Sequence, residues 1–155
     1  QSRRYFRPAS THFSSPSIVG NDGETHQGLL DLAFFNLVPN LTIMAPKDFE
    51  ELRQMLRFAL QLNKPVVIRY PRGGESKRKF PKHEPIRWGK TEKLEDGKDL
   101  TILAIGKMVA KAMGIRDILS ERGIQAEVIN IRFLKPFDEE TLVQSIQKTR
   151  KSSYD

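Results

Sequence analysis

Pro65-Val66-Val67-Ile68-Arg69-Tyr70-Pro71-Arg72-Gly73-Gly74 decides how this chain is read. The triplet Val66-Val67-Ile68 offers no polar residue to face water on either side. That is the pattern of a strand covered on both faces, as in a parallel sheet. Pro71 and the glycine pair then end it on turn chemistry. In parallel sheets ligands gather beyond the carboxyl ends of the strands. An arginine beside glycine offers a guanidinium fork and open backbone, which suits a phosphate. The plainer reading of Arg72 is a surface arginine in a turn, and the spacing leaves both open.

Upstream of this strand the pattern is helical. Asp48 reads as an N-cap, with Glu50 and Glu51 in the first turn, where a helix favours negative charge. Leu52, Met55, Leu56, Ala59 and Leu60 recur at spacings of three and four, one apolar face running to about Leu62. Asn63-Lys64-Pro65 stops it. Leu41 to Met44 reads as a short strand between Pro39-Asn40 and Ala45-Pro46, and Asp31 to Leu37 as a short helix. Residues 1 to 17 show no periodicity and read as irregular.

Downstream, Lys, Glu and Pro dominate residues 75 to 99, a linker with a short strand expected at Ile86 to Trp88. Leu100 to Gly106 reads as a buried strand. Val109 to Arg122 reads as a helix closed by Gly123, Ala126 to Ile131 as a strand, and Glu139 to Lys148 as a last helix capped by Asp138. Strands and helices alternate, which predicts an α/β fold of parallel sheets with helical crossovers. The linker divides it into two units, each short for a complete α/β domain.

Composition narrows the function. The chain has 155 residues, 38% hydrophobic and 29% charged, ordinary for a soluble domain. It has no cysteine, which excludes disulfides and thiolate metal sites and suits a reducing compartment. The cytoplasm is the expected location. The basic, serine-rich start lacks the amphipathic period of a transit peptide. No apolar run approaches the roughly 18 residues of a membrane span. The net charge of +7 is scattered over both ends and the linker, without interleaved aromatics or a nucleic-acid motif, so neither nucleic acid nor membrane is expected as a partner. His12, His26 and His83 lie far apart and lack acidic companions at helical spacing, so no metal site is expected.

A second stretch asks for a reading: Asp22-Gly23-Glu24-Thr25-His26-Gln27-Gly28. An imidazole between glycines can exchange a proton at neutral pH. It can equally be a histidine satisfied in a helix-entry turn, with Asp22 a plain turn residue.

Three segments taken together carry a resemblance. They are Asp22 to Gly28 with Asp31-Leu32, Pro39 to Asp48 with Glu51-Leu52 and Met55-Leu56, and Pro65 to Gly73. In this order and spacing they resemble the 1-deoxyxylulose-5-phosphate synthases, transketolase-like thiamine diphosphate enzymes. The stretches AIGKMV and GIQAEVINIRFLKPFDEETL resemble the start of that family's C-terminal domain. Parts of the pattern also occur in transketolases and in the β subunits of 2-oxo acid dehydrogenases. The resemblance divides the chain into an irregular segment (1–17), a partial pyrimidine-binding domain (18–74), a linker (75–99) and a partial transketolase C-terminal domain (100–155).

The resemblance implies condensation of pyruvate with glyceraldehyde 3-phosphate, loss of carbon dioxide, and a product feeding isoprenoid, thiamine and pyridoxal biosynthesis. It implies magnesium, thiamine diphosphate and a homodimer. His26 matches the family's active-site histidine, which hydrogen-bonds substrate oxygen and shuttles a proton, and Asp22 the acid that helps orient the acceptor. Arg72 matches the arginine that grips the acceptor phosphate, with Tyr70 and Arg69 supporting its turn.

The departures matter equally. Ser14 and Ser15 stand where the family has Asp-Arg at a strand end. The diphosphate and magnesium motif and the glutamate that activates the cofactor are not in this sequence, so no cofactor-binding residue is assigned. The resemblance stops abruptly at both ends, so a fragment inactive on its own is expected. The alternatives are a β-subunit-like half of a 2-oxo acid dehydrogenase, or a non-catalytic module that binds a sugar phosphate or dimerises.

Overall fold

The computed structural model describes residues 11–14, 35–70 and 76–151. Its elements run β1 (Thr11–Ser14), β2 (Thr42–Met44), α1 (Phe49–Gln61), β3 (Val66–Arg69), β4 (Glu92–Glu95), β5 (Leu100–Ala104), α2 (Met108–Glu121), β6 (Ala126–Asn130), β7 (Phe133–Lys135) and α3 (Glu139–Lys151). They build two sheets, in strand orders β1-β3-β2-β7 and β4-β6-β5. The architecture is α/β, as the alternation predicts. Among the described residues no helix is long and apolar enough to cross a membrane.

The first sheet is built around the strand that opened the reading. Val66, Val67 and Ile68 are buried, and β3 pairs in parallel with β1 on one side and β2 on the other. α1 supplies the crossover from β2. Its cap forms as read: the Asp48 carboxylate accepts from the Glu51 amide at 2.8 Å. Its end is set by Asn63, whose φ of +45° belongs to the left-handed region that closes helices. Met55 and Ala59 pack against Met44, Val66 and Ile68. The sixth buried member of that core is Phe133, from much later in the chain, with Phe58 meeting its ring edge-on at 6.1 Å. Its neighbour Leu134 packs on the other face of the sheet, against Leu41, Ile43 and Val67.

The second sheet pairs β5 and β6 in parallel and β4 antiparallel to β6. α2 covers one face through Val109, Ala112 and Met113, against Ala104 and Val128. Gly123 closes that helix at φ +79°, where a side chain would strain the backbone, and Ile124 donates back to the Leu119 carbonyl at 3.0 Å. α3 packs against β5, where the Thr101 and Ser145 hydroxyls meet at 2.9 Å.

Four expectations are corrected. The segment 1–17 contains a strand, β1, because Thr11–Ser14 pairs in parallel along the edge of β3, a partner far away in the sequence. The linker strand lies at Glu92–Glu95 rather than Ile86–Trp88, since the β6 edge reaches only the later segment. The strand at Leu100 is half open, with Leu100 and Leu103 exposed to 43% and 40%, because β5 is an edge of its sheet. The last helix runs to Lys151. β7 was not foreseen: it crosses to the first sheet and pairs antiparallel with β2.

Candidate functional site

The carboxyl ends of β1 and β3 coincide. Ser14 pairs with Arg69, so the chain leaves both strands at one edge of the first sheet, and Met44 of β2 lies opposite Ile68 at the same end. Arg69 is half-buried and Tyr70 exposed at this edge. Asp22 and His26 follow the exit from β1, and Arg72 the exit from β3. All three lie outside the described residues.

Close by is a cluster that sequence reasoning missed. Lys47 follows β2, Glu51 sits in the first turn of α1, Glu92 opens β4, Asn130 ends β6, and Arg132 lies between β6 and β7. All five are buried. The Lys47 ammonium bridges Glu51 at 3.2 Å and Glu92 at 2.5 Å. The Arg132 guanidinium binds the same two carboxylates, Nε to Glu51 Oε1 at 2.7 Å and Nη2 to Glu92 Oε1 at 2.8 Å. Asn130 Nδ2 donates to Glu51 at 3.0 Å and to Glu92 at 3.1 Å, and the Lys47 amide donates to Glu51 at 2.7 Å.

Two cations against two carboxylates make the cluster neutral. Burying an ion costs several kcal/mol, which paired geometry and filled hydrogen bonds offset. Glu92 shows the balance: burial pushes its carboxyl up, but the Lys47 hydrogen bond and charge, then Arg132 and Asn130, hold it below the usual range. Glu51 appears in the sequence only as a helix-dipole acid. The clearest signal is Asn130 directly after the apolar pair Val128-Ile129 in a buried strand, since a buried amide requires partners.

His83 reaches the same helix start. Its Nε2 lies 2.6 Å from Asp48 Oδ2, the other oxygen of the cap, so its acidic partner lies 35 residues away, where helical spacing cannot show it. The imidazole thereby ties the 82–87 segment to α1.

Two family descriptions fit consecutive stretches. Residues 7–74 match the transketolase pyrimidine binding domain, and residues 89–154 the transketolase C-terminal domain. The chain belongs to the transketolase family. Among curated relatives, the 1-deoxy-D-xylulose-5-phosphate synthase of Clostridium acetobutylicum is 50% identical over 127 residues, covering 81% of this chain and 20% of that protein. The synthase of Halothermothrix orenii is 44% identical over 145 residues, covering 93% of this chain and 23% of its own length. The chain thus spans about a fifth of the length of the synthases it matches. Of solved structures, a split-gene transketolase described as an inactive β4 tetramer superposes with a TM-score of 0.75 at 34% identity, over 90% of this chain and 44% of that one. Campylobacter jejuni transketolase shares the fold, with a TM-score of 0.70 at 24% identity over 83% of this chain and 21% of that one.

Set against these domains, the buried cluster joins one transketolase domain to the other. The contacts Lys47–Glu92, Arg132–Glu51 and Asn130–Glu51 cross between them. The family is thiamine diphosphate-dependent. Among the described residues no three His, Cys, Asp or Glu side chains converge on a metal position. The clustered carboxylates, Glu51 and Glu92, are already neutralised by Lys47 and Arg132. The described residues therefore do not fit a magnesium–diphosphate group.

Proposed function

We propose that this chain is part of a 1-deoxy-D-xylulose-5-phosphate synthase, the enzyme that joins pyruvate to glyceraldehyde 3-phosphate with loss of carbon dioxide. The observation that carries the reading is 50% identity to such a synthase over 81% of the chain. The shared edge where β1 and β3 end supports it, because the segments with Asp22, His26 and Arg72 follow those two exits. In this reading His26 moves a proton at substrate oxygen and Asp22 orients the acceptor. Arg72 grips the acceptor phosphate, with Arg69 and Tyr70 behind it. Thiamine diphosphate with magnesium supplies the carbon–carbon chemistry in the whole enzyme, a cytoplasmic homodimer. The chain by itself is inactive, in keeping with the split-gene transketolase whose β chains form an inactive tetramer.

The test is a chimera. Residues 18–150 replace the matching stretch of the C. acetobutylicum synthase, and deoxyxylulose phosphate is followed by mass spectrometry. The chimera makes product. His26→Ala within it lowers kcat by about 10²-fold or more, the usual scale of a lost proton-transfer group. Arg72→Ala raises the KM for glyceraldehyde 3-phosphate by about tenfold or more, the worth of a charge-assisted hydrogen bond. A chimera that folds and dimerises yet makes no product refutes the reading.

A further inference from the structure

A cleft of about 730 Å³ lies between the 82–93 segment, Arg132 and the start of α3. Small-molecule sites occupy roughly 300–1,000 Å³, so its size is that of a ligand pocket. Five cationic side chains line it, Lys82, Arg87, Lys90, Lys93 and Arg132, against two acids, Glu84 and Asp138.

Most of these charges are already matched. Arg132 is held by Glu51 and Glu92. Lys93 reaches Glu127 at 3.0 Å and Asp96 at 3.4 Å. Lys90 binds Asp138 at 3.0 Å and Glu140 at 3.5 Å. The second Asp138 oxygen accepts from the Thr91 amide at 3.0 Å and the Thr91 hydroxyl at 3.1 Å. What remains is Lys82 and Arg87, exposed and without a carboxylate in ion-pair distance among the described residues. Glu84 enters the network only through its backbone: its amide donates to Glu92 at 3.2 Å and its carbonyl accepts from Arg132 at 3.0 Å. Its carboxylate is exposed and free to turn to water.

We propose that this cleft binds a small phosphate-bearing anion through Lys82 and Arg87. Arg87 offers the planar fork that fits two phosphate oxygens, and Lys82 a point charge on a flexible stem. Arg72, which the proposed synthase reading assigns to the acceptor phosphate, is given no part in this binding.

Calorimetric titration of the 155-residue chain with tripolyphosphate tests this, with sodium chloride matched for ionic strength in every cell. One saturable site per chain is expected. Lys82→Ala and Arg87→Ala each weaken it at least tenfold, Glu84→Gln tightens it, and Lys111→Ala, an exposed charge on α2, leaves it unchanged. Circular dichroism checks that each variant keeps its fold. Absence of saturable binding overturns the proposal, as does equal weakening by Lys111→Ala, which marks diffuse screening. Loss on Arg72→Ala with none on Lys82→Ala or Arg87→Ala also overturns it, and leaves the synthase reading standing.

Discussion

Asp138 has its acidity set by its neighbours. Burial pushes its carboxyl up, but the Thr91 amide, Lys90 and the hydroxyls of Thr141 and Thr91 outweigh that and bring it from 3.8 to about 2. A carboxyl depressed in the folded state adds stability that is complete above its unfolded value, and that is lost as pH falls through the folded one. Between about pH 4 and pH 2 this group therefore withdraws on the order of 2 kcal/mol. Urea unfolding at a series of pH values reads it directly: Asp138→Asn is less stable than the parent at neutral pH and has a flatter acid limb. At this scale the sequence was partly legible. Asp138 announced itself by preceding a helical pattern. Lys47, Glu51, Glu92 and Arg132 did not, because a buried ion pair and a surface charge use the same residue types, and only the partner's position tells them apart.

Elements were most legible where local chemistry governs them. α1 carries its own start and stop, Asp48 at one end and Asn63-Lys64-Pro65 at the other, and it forms within a residue or so of the expected span. Asp48 serves twice, capping the Glu51 amide and holding His83. Asp48→Ala therefore lowers the thermal midpoint, with a loss of about 1–2 kcal/mol for the cap. Asp48→Asn recovers most of it, since an amide oxygen caps nearly as well. A melt in which Asp48→Ala matches the parent contradicts this role. β1 and β4 escaped the reading because both are short and their place is set by an available edge, on β3 and β6, rather than by alternation of their own. Ile86 and Trp88 showed the pattern of a strand, but they serve packing: Ile86 lies against the first core, and the Trp88 indole sits over Thr42 and beneath Lys64.

At the scale of the molecule, two transketolase domains are held by a hydrophobic plug and an ionic one. Phe133 fills the first core from the far side of the linker, a burial of roughly 1.5–3 kcal/mol. The Lys47–Glu51–Glu92–Arg132 cluster closes the seam beside it. Removing one partner strands buried charge, so Arg132→Ala destabilises by about 3–5 kcal/mol. The lone Trp88 touches Thr42 and Lys64 across the seam, so its fluorescence reports docking while far-ultraviolet circular dichroism reports the helices. The two signals coincide in the parent during urea unfolding. In Arg132→Ala the Trp88 transition comes first, and coincident transitions at unchanged stability would rule the cluster out as a lock. Sequence alone determined the α/β alternation, the doubly covered strand at Val66 to Ile68, the start and stop of α1, the glycine that closes α2, and a family pattern around His26 and Arg72. Those depend on neighbours within a few positions, where sterics, turn chemistry and periodicity act. Only the tertiary structure decided that β7 crosses to the first sheet, that five polar and charged side chains are drawn into one buried seam, and that Lys82 and Arg87 have no carboxylate in ion-pair distance among the described residues. Such outcomes depend on which distant groups share a low-dielectric space, and linear order does not encode that distance locally.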